Sequence, residues 1–363
     1  MVCLAHLTSL KNHPMHHFTS FGTLGVRIFF VLSGMLITRL LLQEHNLTGA
    51  ISLKGFYIRR VVRIFPAMWF YVAVMAALAA AGIITLHRHD IILALTYTLN
   101  YFPNRSWYLG HIWSLSVEEQ FYLLWPLILC FGNRRTAIKV ALAAIVMAPA
   151  LRLTVLLFSP ATPYLQWFPS ACDCLATGCL LSLLTVGTST GRFTRTIGII
   201  VSSRWFLLIP LLVLVINSRR HVVENSMLLD ARSRVIFMVF DTAGVLLMNL
   251  GIALTIQHVA TFPYKLFGKV LNAPPVAWLG KISYSLYLWQ MPFLNRDVAS
   301  WLTRTPMNMV AALIMACLSY YLLESPLLRL RKRMGWGDVK QEKPSAISVT
   351  PEWDGTPLAD TPR

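Results

Sequence analysis

Two adjacent carboxylates, Glu118 and Glu119, interrupt an apolar and aromatic run, Trp113-Ser114-Leu115-Ser116-Val117-Glu118-Glu119-Gln120-Phe121-Tyr122-Leu123-Leu124-Trp125-Pro126. An ionised acid facing hydrocarbon is costly, so such a residue faces a polar cavity or a partner. Consecutive helical residues point about 100° apart, so at most one of the two faces a given cavity squarely. Beside a histidine, a carboxylate orients the ring and stabilises the imidazolium formed during proton transfer. Beside Arg27 it would instead close a buried ion pair between helices, and both readings stay open. Only Asp173 and Asp241 are further carboxylates clearly within apolar spans.

The other groups able to do chemistry are few. His6, in Val2-Cys3-Leu4-Ala5-His6-Leu7, can act as a general base on a hydroxyl or be an interfacial histidine. Arg27 is a cation in an apolar run, able to snorkel to the surface or to pair with a carboxylate. Ser33 and Gly34 suit close helix packing better than catalysis. In Phe56-Tyr57-Ile58-Arg59-Arg60-Val61-Val62-Arg63, Arg60 and Arg63 are three residues apart and share a helix face. Two guanidiniums there can hold phosphates bidentately or anchor the helix as positive charge. Asp173 divides equally between a structural pair and a site member. Cys172 and Cys174, two apart without further ligands, make a poor zinc pair, so no metal is expected. His13, His16 and His17 read as a solvated loop, and Glu324 as a structural partner for nearby arginines.

The elements that carry these residues follow from composition. Of 363 residues, 56% are hydrophobic and only 13% charged, which describes a polytopic membrane protein. The net charge of +17 lies in short clusters between apolar runs, a topology signal and no argument for nucleic acid. The six cysteines lie mostly in or beside those runs and read as packed thiols. Nine spans of near-membrane length cover 22–42, 61–83, 112–131, 137–158, 165–186, 203–217, 235–258, 276–295 and 306–325. Met1–Leu10 reads as the last third of a further helix. With both chain ends inside, the inside segments hold about twice as many Lys and Arg as the outside ones. This plan predicts an all-α integral membrane protein of about ten helices, spanning 1–333, with a disordered cytoplasmic tail over 334–363. It also places His6, Arg27, Glu118 and Asp173 toward the outside and the Arg59–Arg63 cluster at the opposite, cytoplasmic face.

These stretches together resemble the membrane acyltransferase-3 family, polytopic O-acyltransferases that modify cell-envelope and other sugars. Gly25–Thr38 is similar to its G-V-x-x-F-F-V-L-S-G-x-L-I-T. Arg59–Pro66 is similar to its R-R-x-x-R-I-x-P, and Trp113–Pro126 to its W-S-L-S-V-E-E-Q-F-Y-L-L-W-P. Leu279–Pro292 and Glu324–Pro326 resemble its later motifs. The resemblance runs from residue 2 to about 333, in family order. It implies ten core helices in a bacterial inner membrane and transfer of an acyl group, acetyl or similar, from cytoplasmic acyl-CoA. Acyl-CoA is a co-substrate there, and no further cofactor is implied. The acceptor it implies is a hydroxyl of a sugar or glycolipid.

Carried over by position, His6 matches the first-helix histidine and Glu118 the fourth-helix acid. Asp173 matches the sixth-helix aspartate, and Arg60 and Arg63 match the pair for CoA phosphates, with Arg59 beside them. Arg27 is a candidate oxyanion donor. The family's arginine about ten residues before the histidine would precede Met1, so a shortened first helix is expected. Gln290 stands where a histidine often follows Leu-Trp, so no catalytic role is expected there. A non-enzymatic carrier of acyl groups or glycolipids is the alternative.

Overall fold

A computed structural model describes residues 20–158, 166–186, 192–226, 231–295, 298 and 300–336. His6, His13, His16, His17, the Met1–Leu10 segment and residues 337–363 of the expected tail lie outside the described residues. Every regular element among the described residues is helical. Nine are long: α1 (Ser20–Thr48), α2 (Leu53–Ala80), α3 (Ile112–Phe131), α4 (Arg134–Phe158), α5 (Phe168–Thr185), α6 (Leu208–Ser226), α7, α8 (Pro274–Leu294) and α9. α7 joins Ala231–Val239 to Val245–Thr261 through a π-helical turn, Phe240–Gly244. α9 joins Met307–Ser319 to Ser325–Arg333 through another, Tyr320–Glu324. Each π turn carries a buried acid, Asp241 or Glu324, and such turns are frequent at functional sites.

Seven of the nine are long and apolar enough to cross a membrane. The other two, α3 and α8, have their apolar character diluted by Glu118-Glu119-Gln120 and by Lys281 to Ser285. Helices alone satisfy their own backbone groups in hydrocarbon, which is why an apolar chain of this kind builds a multi-pass membrane bundle from them.

Among the described residues the bundle has two large cores with α3 at the seam, beside a small cluster at Leu156 and Phe237. One gathers α1, α3, α5 and α7 around Phe30, Val31, Phe121, Leu175 and Ile252. The other gathers α2, residues 94–115 and α8 around Tyr71, Leu109, Ile112 and Trp289. The first depends on two glycines. A Cβ at Gly34 would overlap the Leu175 carbonyl, and one at Gly178 would overlap the Val31 carbonyl, so α1 and α5 touch backbone to backbone. Across this contact Ser182 Oγ donates to Met35 O at 2.9 Å. Trp125 Nε1 donates to Thr38 Oγ1 at 2.9 Å and fixes α3 against α1.

Residues 84–106, between the second and third apolar spans, fold back against the bundle. A short helix, Asp90–Leu95, is followed by a 3-10 turn, Leu99–Tyr101. Buried Asp90 accepts from Ser106 N at 2.8 Å and closes the segment on itself. Gln120 Nε2 on α3 donates to Tyr97 O at 2.8 Å and to Asn100 Oδ1 at 3.0 Å. Arg105 reaches Leu99 O at 3.2 Å and also donates to Gln166, tying the segment to the entry of α5. Burial pulls the Arg105 guanidinium down to about 10, still charged at neutral pH.

Candidate active site

Glu118 is 3% exposed on α3, the helix that contributes residues to both cores. Its Oε1 accepts from Ser33 Oγ on α1 at 2.6 Å and from the Tyr122 hydroxyl one turn along its own helix. The two hydroxyl oxygens are themselves 2.7 Å apart. Both bonds fall on one carboxylate oxygen, and among the described residues no hydrogen bond is made by Oε2. Such a group is held in place yet keeps an acceptor for a proton-bearing partner. The Arg60 guanidinium stands 4.9 Å from the centre of the Tyr122 ring and 5.6 Å from that of Phe56. One tyrosine therefore touches the acid with its hydroxyl and the arginine with its ring face.

Asp173 has different company. Its Oδ2 accepts from Arg152 NH2 at 2.9 Å, both side chains being fully buried. Arg152 Nε also donates to Asp241 O at 3.1 Å, and lies 3.5 Å from its carboxylate. Arg220 closes the group, with NH2 donating to Asp241 Oδ1 at 2.7 Å and NH1 to Glu224 Oε2 at 3.3 Å. The network ties α4, α5, α6 and α7 together through one buried set of ions. Arg27 NH1 lies 3.4 Å from Cys174 Sγ, and that thiol is 3.5 Å from Asp173 Oδ1. Arg27, Arg220, Glu224, Gln166 and Cys174 line a cavity of about 240 Å³ at this end of α1.

The expected site is thus divided. Arg27 and Asp173 come together through Cys174. Glu118 lies with Arg60 instead, so it is neither paired with Arg27 nor across the membrane from the arginine cluster. Position along each helix predicted a wide gap, but a long arginine and the bridging Tyr122 close it. Arg59 pairs with Glu44 at 2.8 Å, while Arg60 and Arg63 make no such pair among the described residues. Glu324 bonds Ser285 of α8, so its partner is a hydroxyl where an arginine was expected.

Three residues escaped the sequence reading. Arg152 is a cation inside the fourth span, the same signal that drew attention to Arg27. Tyr122 lies four residues from Glu118, a spacing that puts both on one face. Ser33, read as a packing residue, is the cross-helix donor to the acid.

A family model described as an acyltransferase domain matches residues 1–325. The chain belongs to the acyltransferase-3 family. It is 27% identical over 359 residues to a Bacillus subtilis (strain 168) protein named "Putative peptidoglycan O-acetyltransferase YrhL", a match covering 89% of this chain and 53% of that one. It is 29% identical over 343 residues to the Staphylococcus aureus (strain NCTC 8325 / PS 47) O-acetyltransferase OatA, covering 87% of this chain and 54% of that one. The chain spans about half the length of the curated relatives it matches. No solved structure matches it. Within this acyltransferase-3 chain, Glu118 and Arg60 come from two stretches that carry the family pattern, and Tyr122 between them belongs to the first.

Proposed function

We propose that the chain transfers an acyl group, acetyl or similar, from acyl-CoA to a hydroxyl of a sugar or glycoconjugate in a bacterial cell membrane. The observation that carries this reading is Glu118, a buried acid held by two hydroxyls and bridged by Tyr122 to Arg60. Family membership supports acyl transfer, and the relatives' names support acetyl as the group and a peptidoglycan sugar as the acceptor. The concentration of Lys and Arg near Arg59–Arg63 supports a cytoplasmic placement of that face and of the C-terminus, and so a cytoplasmic donor.

Arg60 and Arg63 hold the CoA phosphates, since Arg59 is engaged by Glu44. His6 takes the proton of the acceptor hydroxyl as its oxygen attacks the thioester carbon. The C–S bond breaks, the acyl group passes to oxygen, and the CoA thiolate leaves and is protonated. Of the two carboxylates able to support His6, Glu118 is favoured, because Asp173 is already neutralised by Arg152. Asp173 instead positions Cys174 beside Arg27, in the group of buried ions apart from Glu118 and Arg60.

The test is transfer of labelled acetyl from acetyl-CoA to peptidoglycan fragments in membranes carrying the chain, with products read by mass spectrometry. His6→Ala and Arg60→Ala are each expected to abolish the acetylated product. Normal transfer in both sinks the mechanism. Acceptor flux retained in Glu118→Gln with no acetylated product points to a carrier.

A further inference from the structure

A polar space lies at the end of α1 away from the arginine cluster. On α1 the cavity of about 240 Å³ is bounded by Thr23, Val26, Arg27 and Phe30, whose spacing puts them on one helix face. Arg27 and Glu44, the partner of Arg59, are roughly 25 Å apart along that helix. None of Arg59, Arg60 and Arg63 lines the cavity, so it is distinct from the end proposed to hold the donor phosphates. It opens at an aqueous boundary. Thr23 lies in the first turn of α1 and is exposed. Another wall is the polar last part of α6, which carries Arg220 and Glu224.

The lining keeps hydrogen-bonding capacity that the fold does not use up. Arg27 makes no ion pair among the described residues, and its NH1 meets the weak acceptor Cys174 Sγ at 3.4 Å. Its Nε is buried without a partner among those residues. Arg105 can only donate, so it takes Gln166 Oε1 and leaves the amide N–H groups of Gln166 as donors. Glu224 gives Oε2 to Arg220 at 3.3 Å, and its side chain stays 32% exposed. Phe30 and Trp113, edge to face at 6.2 Å, add aromatic surface.

Charge decides what such a lining can hold. Arg27, Arg152 and Arg220 stand against Asp173, Asp241 and Glu224, three against three. Arg105, behind Gln166, has its own acid in Asp90. An added anion would be an uncompensated charge in a low dielectric. A neutral hydroxyl brings no charge and both donates and accepts, which suits arginine and amide donors set beside a carboxylate. We infer that this cavity seats one uncharged sugar ring of a glycan arriving from the aqueous side. Its hydroxyls meet Arg27, Gln166 and Glu224, and its C–H face lies on Trp113. Ser33, the donor to Glu118, follows Phe30 by about 4.5 Å along α1, so the ring sits almost one turn from the residue that holds the acid. That this sugar is the acyl acceptor rests on the function proposed above; that it binds here does not.

The test uses the full chain in lipid nanodiscs with a diazirine-bearing trimer of N-acetylglucosamine, its label mapped by mass spectrometry. Transfer from labelled acetyl-CoA is measured separately. Labelling is expected on α1 between Thr23 and Phe30 and on α6 near Glu224. The unlabelled trimer should compete, and a trimer of glucuronic acid should compete roughly tenfold less well. Thr23→Trp plugs the exposed rim, where a large side chain does not disturb the core, and is expected to abolish labelling. Glu224→Gln leaves one positive charge in excess and is expected to reverse the preference, the acidic trimer then competing at least as well as the neutral one. Equal competition by the two trimers in the parent overturns the proposal. Unchanged labelling in Thr23→Trp or an unchanged preference in Glu224→Gln does the same. Acetyl transfer with no labelling of the cavity overturns this site and leaves the acyltransfer reading standing. Labelling of the cavity without transfer upholds the site and counts against that reading.

Discussion

Two sets of buried carboxylates in this bundle are stabilised in opposite ways. Asp173 and Asp241 are met directly by Arg152 and Arg220, at distances of 2.7 to 3.5 Å. Glu118 is met by the hydroxyls of Ser33 and Tyr122, with Arg60 reaching it only through a ring. Two acids and two guanidiniums in contact neutralise one another, and separating any of them exposes a naked charge to a low dielectric. Hydroxyl donors hold an acid without consuming its charge, and they can rotate or pass a proton. The first arrangement fixes four helices; the second leaves an acid ready to act on a neighbour.

Breaking the first arrangement is expected to give the largest effect. Arg152→Met keeps the side-chain volume but strands Asp173 and part of Asp241, at a cost of roughly 3–5 kcal/mol. Melting of the purified protein in detergent reads this directly. Adding Asp173→Asn is expected to recover part of the loss. If Arg152→Met melts like the parent, the network is not what holds these four helices together. Glu118→Gln is expected to behave the other way. The amide oxygen still accepts from Ser33, so melting should move by no more than about 1 kcal/mol. Acetyl transfer per folded molecule should fall by about 10²-fold or more. Activity that merely follows the folded fraction would erase the contrast between the two acids.

A smaller effect is expected where the regions are joined. Gly178→Ala places a methyl group against the Val31 carbonyl and forces α1 from α5, costing roughly 1–3 kcal/mol. Because α1 carries Ser33 and Arg27 and α5 carries Asp173 and Cys174, melting and transfer should weaken together. Loss of one without the other would show that the two regions are set independently.

Much of this architecture was legible in the residues. Hydropathy found all nine long helices, because an apolar run near the length of a bilayer has few other uses. Its boundaries failed where polar residues continue a helix. The 203–217 span misses the last turns of α6, which run to Ser226 because Arg220 turns inward to Asp241. Likewise α2 begins at Leu53, where Ser52 Oγ caps Gly55 N at 3.1 Å, ahead of the apolar stretch. The folded-back segment over 84–106 was not legible, since its support is Gln120 reaching the Tyr97 backbone carbonyl and the Asn100 side-chain oxygen, contacts between residues distant in sequence. Glu118 stood out as a charge in an apolar helix. Its partners did not, because a hydroxyl costs little in such a helix and leaves no trace in the pattern.

The arginine cluster gives the smallest expected effect and the finest test of the comparison. Sequence alone treats Arg59, Arg60 and Arg63 as one group. The structure separates them: Arg59 is spent on Glu44 at 2.8 Å, and Glu44 also accepts from Ser52 N at 2.9 Å. That pair closes the turn between α1 and α2, much as Arg152 closes the bundle, but Arg59 remains 25% exposed. A partly solvated pair of this kind contributes about 0–1 kcal/mol. Arg59→Ala is therefore expected to leave acetyl-CoA binding within about twofold of the parent and to lower melting only slightly. Arg60→Ala removes a charge proposed to hold phosphate, together with the cation stacked on Tyr122. It is expected to weaken binding by about tenfold or more. Equal losses in the two variants would mean that the cluster acts through its summed positive charge, and that Arg60's contact with Tyr122 confers nothing of its own.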